Sequence, residues 1–146
     1  MKINRVEGLV YAATDLDVGV RFFQDWGVKL DKRDAQGAYF SLPSGQTIVI
    51  KNAGDPSLPK APMPDPTVRE VVWGVDTQAS LAELKADLST DREVREDADG
   101  TLHTHDDCGF GIAFRVSNGV APSKPGGARM NKPFDPPRSA SPIRLG

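Results

Sequence analysis

The sequence predicts an α+β domain built from two copies of a βαβββ unit, and three observations lead to this prediction. The chain has 146 residues, which suits one domain with a hydrophobic core. Strand-like and helix-like segments occur twice in the same order, at a spacing of about sixty residues. The two halves, about 3–52 and 68–117, are separated by a proline-rich connection at 53–67.

The first half begins with the strand-like run VEGLVYAA at 6–13. Asp15 can cap the helix that follows, because apolar residues then recur at helical spacing and an aspartate side chain accepts from free backbone N–H groups. Gly27 ends this helix. Turn residues then divide the sequence into three predicted strands, at 28–33, 37–42 and 46–51.

The second half repeats this order. The run REVVWGV at 69–75 predicts a strand, and Thr77 can cap the helix QASLAELKADL. Two further strands are predicted at 92–97 and 101–105, with a hairpin turn between them. The last strand is GFGIAFRVS, at 109–117. Because each half alone leaves one sheet face uncovered, we expect the halves to pair around a shared core as one module, 1–117.

Two segments are rich in proline and lack the hydrophobic periodicity of a helix or strand. Residues 53–67 hold five prolines, so we expect an extended, partly polyproline connection that crosses outside the two halves. Residues 118–146 are rich in Pro, Gly and Ser and are predicted to be a linker. The final SPIRLG resembles INRVEG near the start of the chain, so we expect this linker to lead into a second module.

Composition excludes several classes of function. The chain has 18 basic and 20 acidic residues without a basic cluster, so nucleic acid is not an expected partner. No apolar run has the length of a membrane span, and no membrane partner is expected. Cys108 is the single cysteine and cannot form an internal disulfide, so we expect a cytoplasmic protein.

The opening stretch INRVEGLVYAATDLDVGVRFFQDWGVKL resembles the first strand and helix of the vicinal oxygen chelate superfamily. Members often have a strand that leads into Asp-Leu-Asp and a helix that ends in aromatic residues and glycine, where this chain has Phe22-Phe23 and Trp26-Gly27. The superfamily includes glyoxalase I, bleomycin-resistance proteins and type I extradiol dioxygenases. The resemblance spans residues 3 to about 117. It implies the glyoxalase/bleomycin-resistance/dihydroxybiphenyl dioxygenase fold, in which paired βαβββ halves enclose a cleft.

The resemblance also indicates where a metal would bind. Members hold a divalent metal with His or Glu side chains from the first and last strand of each half, and the matching positions here are Gly8, Val49, Glu70 and Ala113. Three of these side chains cannot bind a metal, so we expect no metal and no other cofactor in this module. In type I extradiol dioxygenases only the second of two modules typically binds iron. We therefore expect Fe(II) or Mn(II) in a second module.

These features favour an amino-terminal, metal-free module of an extradiol ring-cleavage dioxygenase that acts on catecholic aromatics. The module alone is then inactive, and its partner is the second module of the same chain. The alternative is a standalone member that pairs with a second copy as a dimer. Such a protein would bind or confer resistance to small molecules, or act as an isomerase or lyase. A purely structural or regulatory module is a third possibility.

The segment TLHTHDDCG contains both histidines of the chain, and three interpretations apply to it. His103 and His105 are two apart on a predicted strand, so they project from the same face and could bind a metal or line a substrate pocket. The interpretation that we prefer is a polar strand end, where Asp106, Asp107 and Gly109 form the turn into the last strand. His103 and His105 remain pocket candidates.

Glu70 is the third pocket candidate. An acid that faces the cleft could act as a general base, but we expect a salt bridge to a nearby arginine instead. Cys108 lies beside the predicted turn, and the sequence assigns it no role as a nucleophile. The catalytic residues of the parent protein stay unassigned.

Overall fold

The computed structural model describes residues 3–63 and 67–119, and it confirms the predicted α+β fold. Ten elements repeat the order β-α-β-β-β. The first half consists of β1 (Ile3–Ala13), α1 (Leu16–Asp25), β2 (Lys29–Arg33), β3 (Ala38–Ser41) and β4 (Thr47–Asn52). The second half consists of β5 (Val68–Val75), α2 (Gln78–Leu88), β6 (Arg95–Glu96), β7 (Leu102–His105) and β8 (Gly111–Val116). The predicted linker lies outside the described residues from position 120 onward.

Both helices begin at the predicted caps. The Asp15 side chain accepts hydrogen bonds from the backbone N–H groups of Asp17 and Val18, and the Thr77 side chain accepts from that of Ser80. Gly27 follows α1 with a φ of 82°, a left-handed conformation that suits a residue without a side chain. Within the described residues no helix is long and apolar enough to cross a membrane.

All eight strands belong to one sheet with the order β2-β3-β4-β1-β5-β8-β7-β6. In each half, the first strand pairs in parallel with the last, and the register is equivalent. Gly8 lies beside Thr47 in the first half, and Glu70 lies beside Gly111 in the second. The halves are joined by antiparallel pairing of β1 with β5. The register therefore supports the alignment of the halves that the sequence indicated.

Both helices cover the same face of the sheet. Val20 and Phe23 of α1 pack with Ile48 and Ile50 of β4, and an equivalent cluster surrounds α2. The members of that second cluster are Val75, Leu81, Leu84, Leu102 and Phe114. Side chains of neighbouring positions in each strand point to the opposite face, which we call the cleft face.

Over residues 53–63, the proline-rich connection differs from the extended segment that the sequence predicted. It contains hydrogen-bonded turns, in which Asp55 N donates to Asn52 O at 2.9 Å and Leu58 N donates to Asp55 O at 3.1 Å. It also contacts the sheet, because Arg69 Nη1 donates to Pro59 O at 3.0 Å. Proline residues have no backbone N–H group, but their carbonyl groups still accept hydrogen bonds. The sequence does not show which donors those carbonyl groups will meet.

The core makes a direct stability prediction. We expect Ile50→Ala to lower the free energy of unfolding by about 2 to 5 kcal/mol, because the substitution opens a cavity among packed side chains. Ile50 is 1% exposed, whereas Ile3 of the same sheet is 46% exposed. Ile3→Ala is thus the matched control and should have a much smaller effect. Urea denaturation of both variants measures the difference, and equal losses would contradict this core assignment.

Candidate functional site

The four positions that correspond to metal ligands lie on the cleft face and do not form a metal site. Val49 and Ala113 offer no donor atom, and a side chain at Gly8 would meet Thr47 Oγ1 at 2.6 Å. Thr47 therefore fills the space where a first ligand would stand. Across residues 3–63 and 67–119, no group of three or more His, Cys, Asp or Glu side chains is arranged to hold a metal ion. The residues of this module do not fit the metal that the fold family uses.

Glu70, the fourth position, is buried and pairs with the half-buried His103. We expected an arginine as its partner, but His103 Nδ1 lies 2.8 Å from Glu70 Oε1. The other ring nitrogen, Nε2, lies 3.0 Å from Asp97 Oδ2, and Asp97 also contacts Arg95. The imidazole thus stands between a carboxylate that is 5% exposed and one at the protein surface. The fold brings these groups together because β5, β6 and β7 lie close in the sheet while their residues are far apart in sequence.

The pair raises the pKa of His103 above its ordinary value of 6.5. The hydrogen bond to Glu70 is the largest cause, and the negative charges of Glu70 and Asp97 act in the same direction. Partial burial and the positive charge of Arg95 oppose the shift. The geometry therefore favours an imidazolium whose Nδ1 is held by Glu70.

The two histidines have different environments. The predicted turn exists, since Asp106 Oδ1 accepts hydrogen bonds from the backbone N–H groups of Cys108 and Phe110, both at 2.9 Å. His105 and Cys108 are exposed beside it. His103 is not part of this polar strand end, because its ring points across the sheet to Glu70. Both imidazoles line a cavity of about 390 Å³ together with Arg95 and residues 56–59.

A second buried acid on the cleft face, Glu7, was not identified from the sequence. Its side chain has no exposed surface and contacts three partners. Arg5 Nε lies 3.1 Å from Oε1, Ser117 Oγ donates to Oε1 at 2.5 Å, and Arg115 Nη2 lies 3.6 Å from Oε2. Gly74 makes room for this group, since a Cβ there would meet Glu7 Oε1 at 2.8 Å. A charged residue inside the apolar run RVEGLV was the available signal.

Comparison with known proteins supports the fold. No family model matches the sequence, and no curated protein sequence matches it either. Among solved structures, an extradiol ring-cleaving dioxygenase from B. fuscum is similar with a TM-score of 0.64 and 17% identity over 82% of the chain. Homoprotocatechuate 2,3-dioxygenase from Arthrobacter globiformis has a TM-score of 0.64 and 18% identity over 82% of the chain. A Mn(II)-bound glyoxalase from Novosphingobium aromaticivorans has a TM-score of 0.59 and 14% identity over 77%.

The chain has the vicinal oxygen chelate fold. It spans 34% of the length of the B. fuscum dioxygenase, 38% of the A. globiformis enzyme and 38% of the glyoxalase. In this fold, the cleft face carries two buried carboxylates. Glu7 pairs with Arg5, and Glu70 pairs with His103.

The raised pKa of His103 predicts that its contribution to stability depends on pH. Protonated His103 stabilises the folded chain fully below the ordinary value of 6.5, and this contribution is lost as the pH rises through the higher folded pKa. Glu70, Asp97, Asp99 and Arg95 are the charged groups that act on the ring. Denaturation of the wild type and His103→Gln from about pH 5 to about pH 9 measures the loss.

Two further variants test the cause of that shift. Glu70→Gln should lower the titration midpoint of the His103 ring in an NMR titration, because the main charge partner is removed. Glu93→Gln is the control, since Glu93 lines the same cavity but is exposed. An equal midpoint in the wild type and Glu70→Gln would show that the pair does not form.

The buried ion pairs of Glu7 predict a second effect on the free energy of unfolding, which should be larger than that of His103 protonation. We expect Glu7→Gln to cost about 3 to 5 kcal/mol, because Arg5 and Arg115 would lose their buried counter-charge. Glu96→Gln is the control, because Glu96 pairs with Lys85 at the surface and should cost less than about 1 kcal/mol. Chemical denaturation of both variants gives the comparison. Losses of the same size would mean that Glu7 is solvated.

Proposed function

We propose that this chain is the metal-free, amino-terminal module of an extradiol-type ring-cleavage dioxygenase. Its parent acts on catecholic aromatics, and the Fe(II) or Mn(II) that the reaction needs is held by a second module. The chain itself carries out no ring cleavage. Its role is to pack against the metal-binding module and to support it.

The observation that carries this proposal is the state of the four ligand positions. Gly8, Val49 and Ala113 have no donor side chains, and Glu70 is engaged by His103. The fold is retained although the metal positions are lost, which is the property expected of a supporting module. Similarity to one third of the length of two extradiol dioxygenases agrees with such a module.

The filled cleft supports the same conclusion. A catalytic cleft of this fold needs open space above the metal, but here Thr47 occupies the place next to Gly8. The Glu7 carboxylate is enclosed by two arginines and Ser117. Paired buried charges of this kind fix side chains in one arrangement. Such fixed charge pairs are expected in a supporting module, whereas a catalytic cleft needs space for substrate and metal.

The proposal predicts the metal content of this chain. Residues 1–146, purified without an affinity tag, should contain far less than one Fe or Mn per chain by elemental analysis, because the ligand set is missing. The two exposed or half-exposed imidazoles can bind nickel or zinc only weakly. Glu70→Ala should leave the metal content unchanged. A full equivalent of Fe or Mn that Glu70→Ala abolishes would place the active site in this module instead.

The parent protein provides the test of function. The complete product of the reading frame that contains this chain should bind about one Fe(II) or Mn(II) and cleave catechol or homoprotocatechuate. Ring opening is followed by absorbance of the product. Replacing Glu70 with Gln in that product should leave the metal content unchanged. A product that ends at Gly146 and forms dimers would instead support a standalone binding protein.

A further inference from the structure

A cavity of about 390 Å³ lies between the proline-rich connection and the outer strands of the second half. Cavities that bind small molecules begin at about 300 Å³, so an organic molecule of modest size fits. Gly8, Val49 and Ala113 do not line it, whereas Glu70, the fourth matched position, adjoins it through its hydrogen bond with His103. Its lining consists of Pro56, Ser57, Leu58, Pro59, Glu93, Arg95, His103, Thr104 and His105.

The wall formed by residues 56–59 is anchored to the sheet at several points. Arg69 Nη1 donates to Pro59 O at 3.0 Å, and Lys51 Nζ donates to Ser57 Oγ at 2.6 Å. Gly111 permits the close approach of this wall, because a Cβ there would lie 2.8 Å from Pro59 Cγ. A wall that is held in this way keeps the cavity open at little further entropic cost when a ligand binds.

The opposite wall presents cationic groups. Arg95 and His103 are direct neighbours across the pairing of β6 with β7, and both contact the Asp97 carboxylate. Asp97 belongs to a surface turn and its side chain is 42% exposed. A ligand carboxylate can therefore compete with Asp97 for these two donors. Glu93 also lines the cavity, and Asp97 and Glu70 lie against the two cations, so a ligand with a single negative charge is favoured over a dianion.

The remaining surface of the cavity is apolar. Pro56, Leu58 and Pro59 line the same cavity as the two imidazoles. A flat ring can pack between these groups, because imidazole and guanidinium planes accept stacked aromatic rings. The lining thus combines cations for a carboxylate with apolar faces for an aromatic ring.

We propose that this cavity binds a small aromatic monocarboxylate, with the carboxylate held by Arg95 and His103 and the ring packed against Pro56, Leu58 and Pro59. Glu70 is a positioning residue, since it holds His103 from the far side of the ring. The proposal uses only residues of this module and does not rest on the function proposed above. A failure of the metal predictions would leave it intact.

The test is to add benzoate, phenylacetate or cinnamate to the chain and to measure binding from the changes in amide chemical shifts by NMR. At least one acid should bind and shift the signals of residues 56–59 and of β7. Arg95→Gln and His103→Gln should each weaken that binding by about tenfold or more, because each removes a charged donor. Arg33→Gln is the matched control, since Arg33 lies on β2 at the opposite edge of the sheet. Its affinity should equal that of the wild type.

Three results would overturn the proposal. The first is the absence of binding by all three acids at about 10 mM, a concentration that detects even weak complexes. The second is equal affinity for benzoate and uncharged benzamide, which would exclude recognition of the carboxylate. The third is a set of shifts confined to the apolar groove beside α1, around Tyr11, Val18 and Phe22. Circular dichroism of Arg95→Gln and His103→Gln checks that both variants are folded.

Discussion

The antiparallel pairing of β1 with β5 is the contact on which the rest of the structure depends. Each half has its own helix and its own small core, but these two strands join the halves into one eight-stranded sheet. The pairing contains irregular steps, one of them between Val6 and Gly8. Glu7 lies at that step and reaches the space that Gly74 leaves on β5. The junction therefore determines both the continuity of the sheet and the position of its most buried charge.

Charge compensation on the cleft face follows from this geometry. Burial of a carboxylate is costly unless donors and opposite charges surround it. Glu7 finds them in Arg5 on its own strand and in Arg115 and Ser117 at the end of β8. Glu70 finds His103 on β7. Each carboxylate thus has a protein group of opposite or potentially opposite charge within 4 Å.

The second half carries a cavity in addition to the buried charge pairs of the cleft face. The pairs around Glu7 connect strands of both halves. The cavity beside β7 is open, and its wall comes from the connection between the halves. The Glu70–His103 pair links the two regions, since Glu70 lies on the cleft face and the imidazole lines the cavity.

Much of the fold could be read from the sequence, because local rules determine it. Helix caps at Asp15 and Thr77 and the repeated order of elements are encoded by neighbouring residues, and the structure confirms them. The site could not be read in this way. Glu70 was recognised as a cleft residue, but its partner was expected to be an arginine and is His103.

The sequence by itself thus determined the elements and the repeated order, since these follow from residue types and their spacing. The assignment of Gly8, Val49 and Ala113 to ligand positions came from the family resemblance, and their residue types show that they have no donor side chains. Only the tertiary structure decided which charges meet. Ser117 and Glu7 are 110 positions apart in the chain, and Glu70 and His103 are 33 apart. Strand register sets such distances, and register depends on the packing of the whole sheet rather than on local sequence. The same holds for the proline-rich connection, whose contact with the sheet depends on Gly111 and Arg69 in the second half.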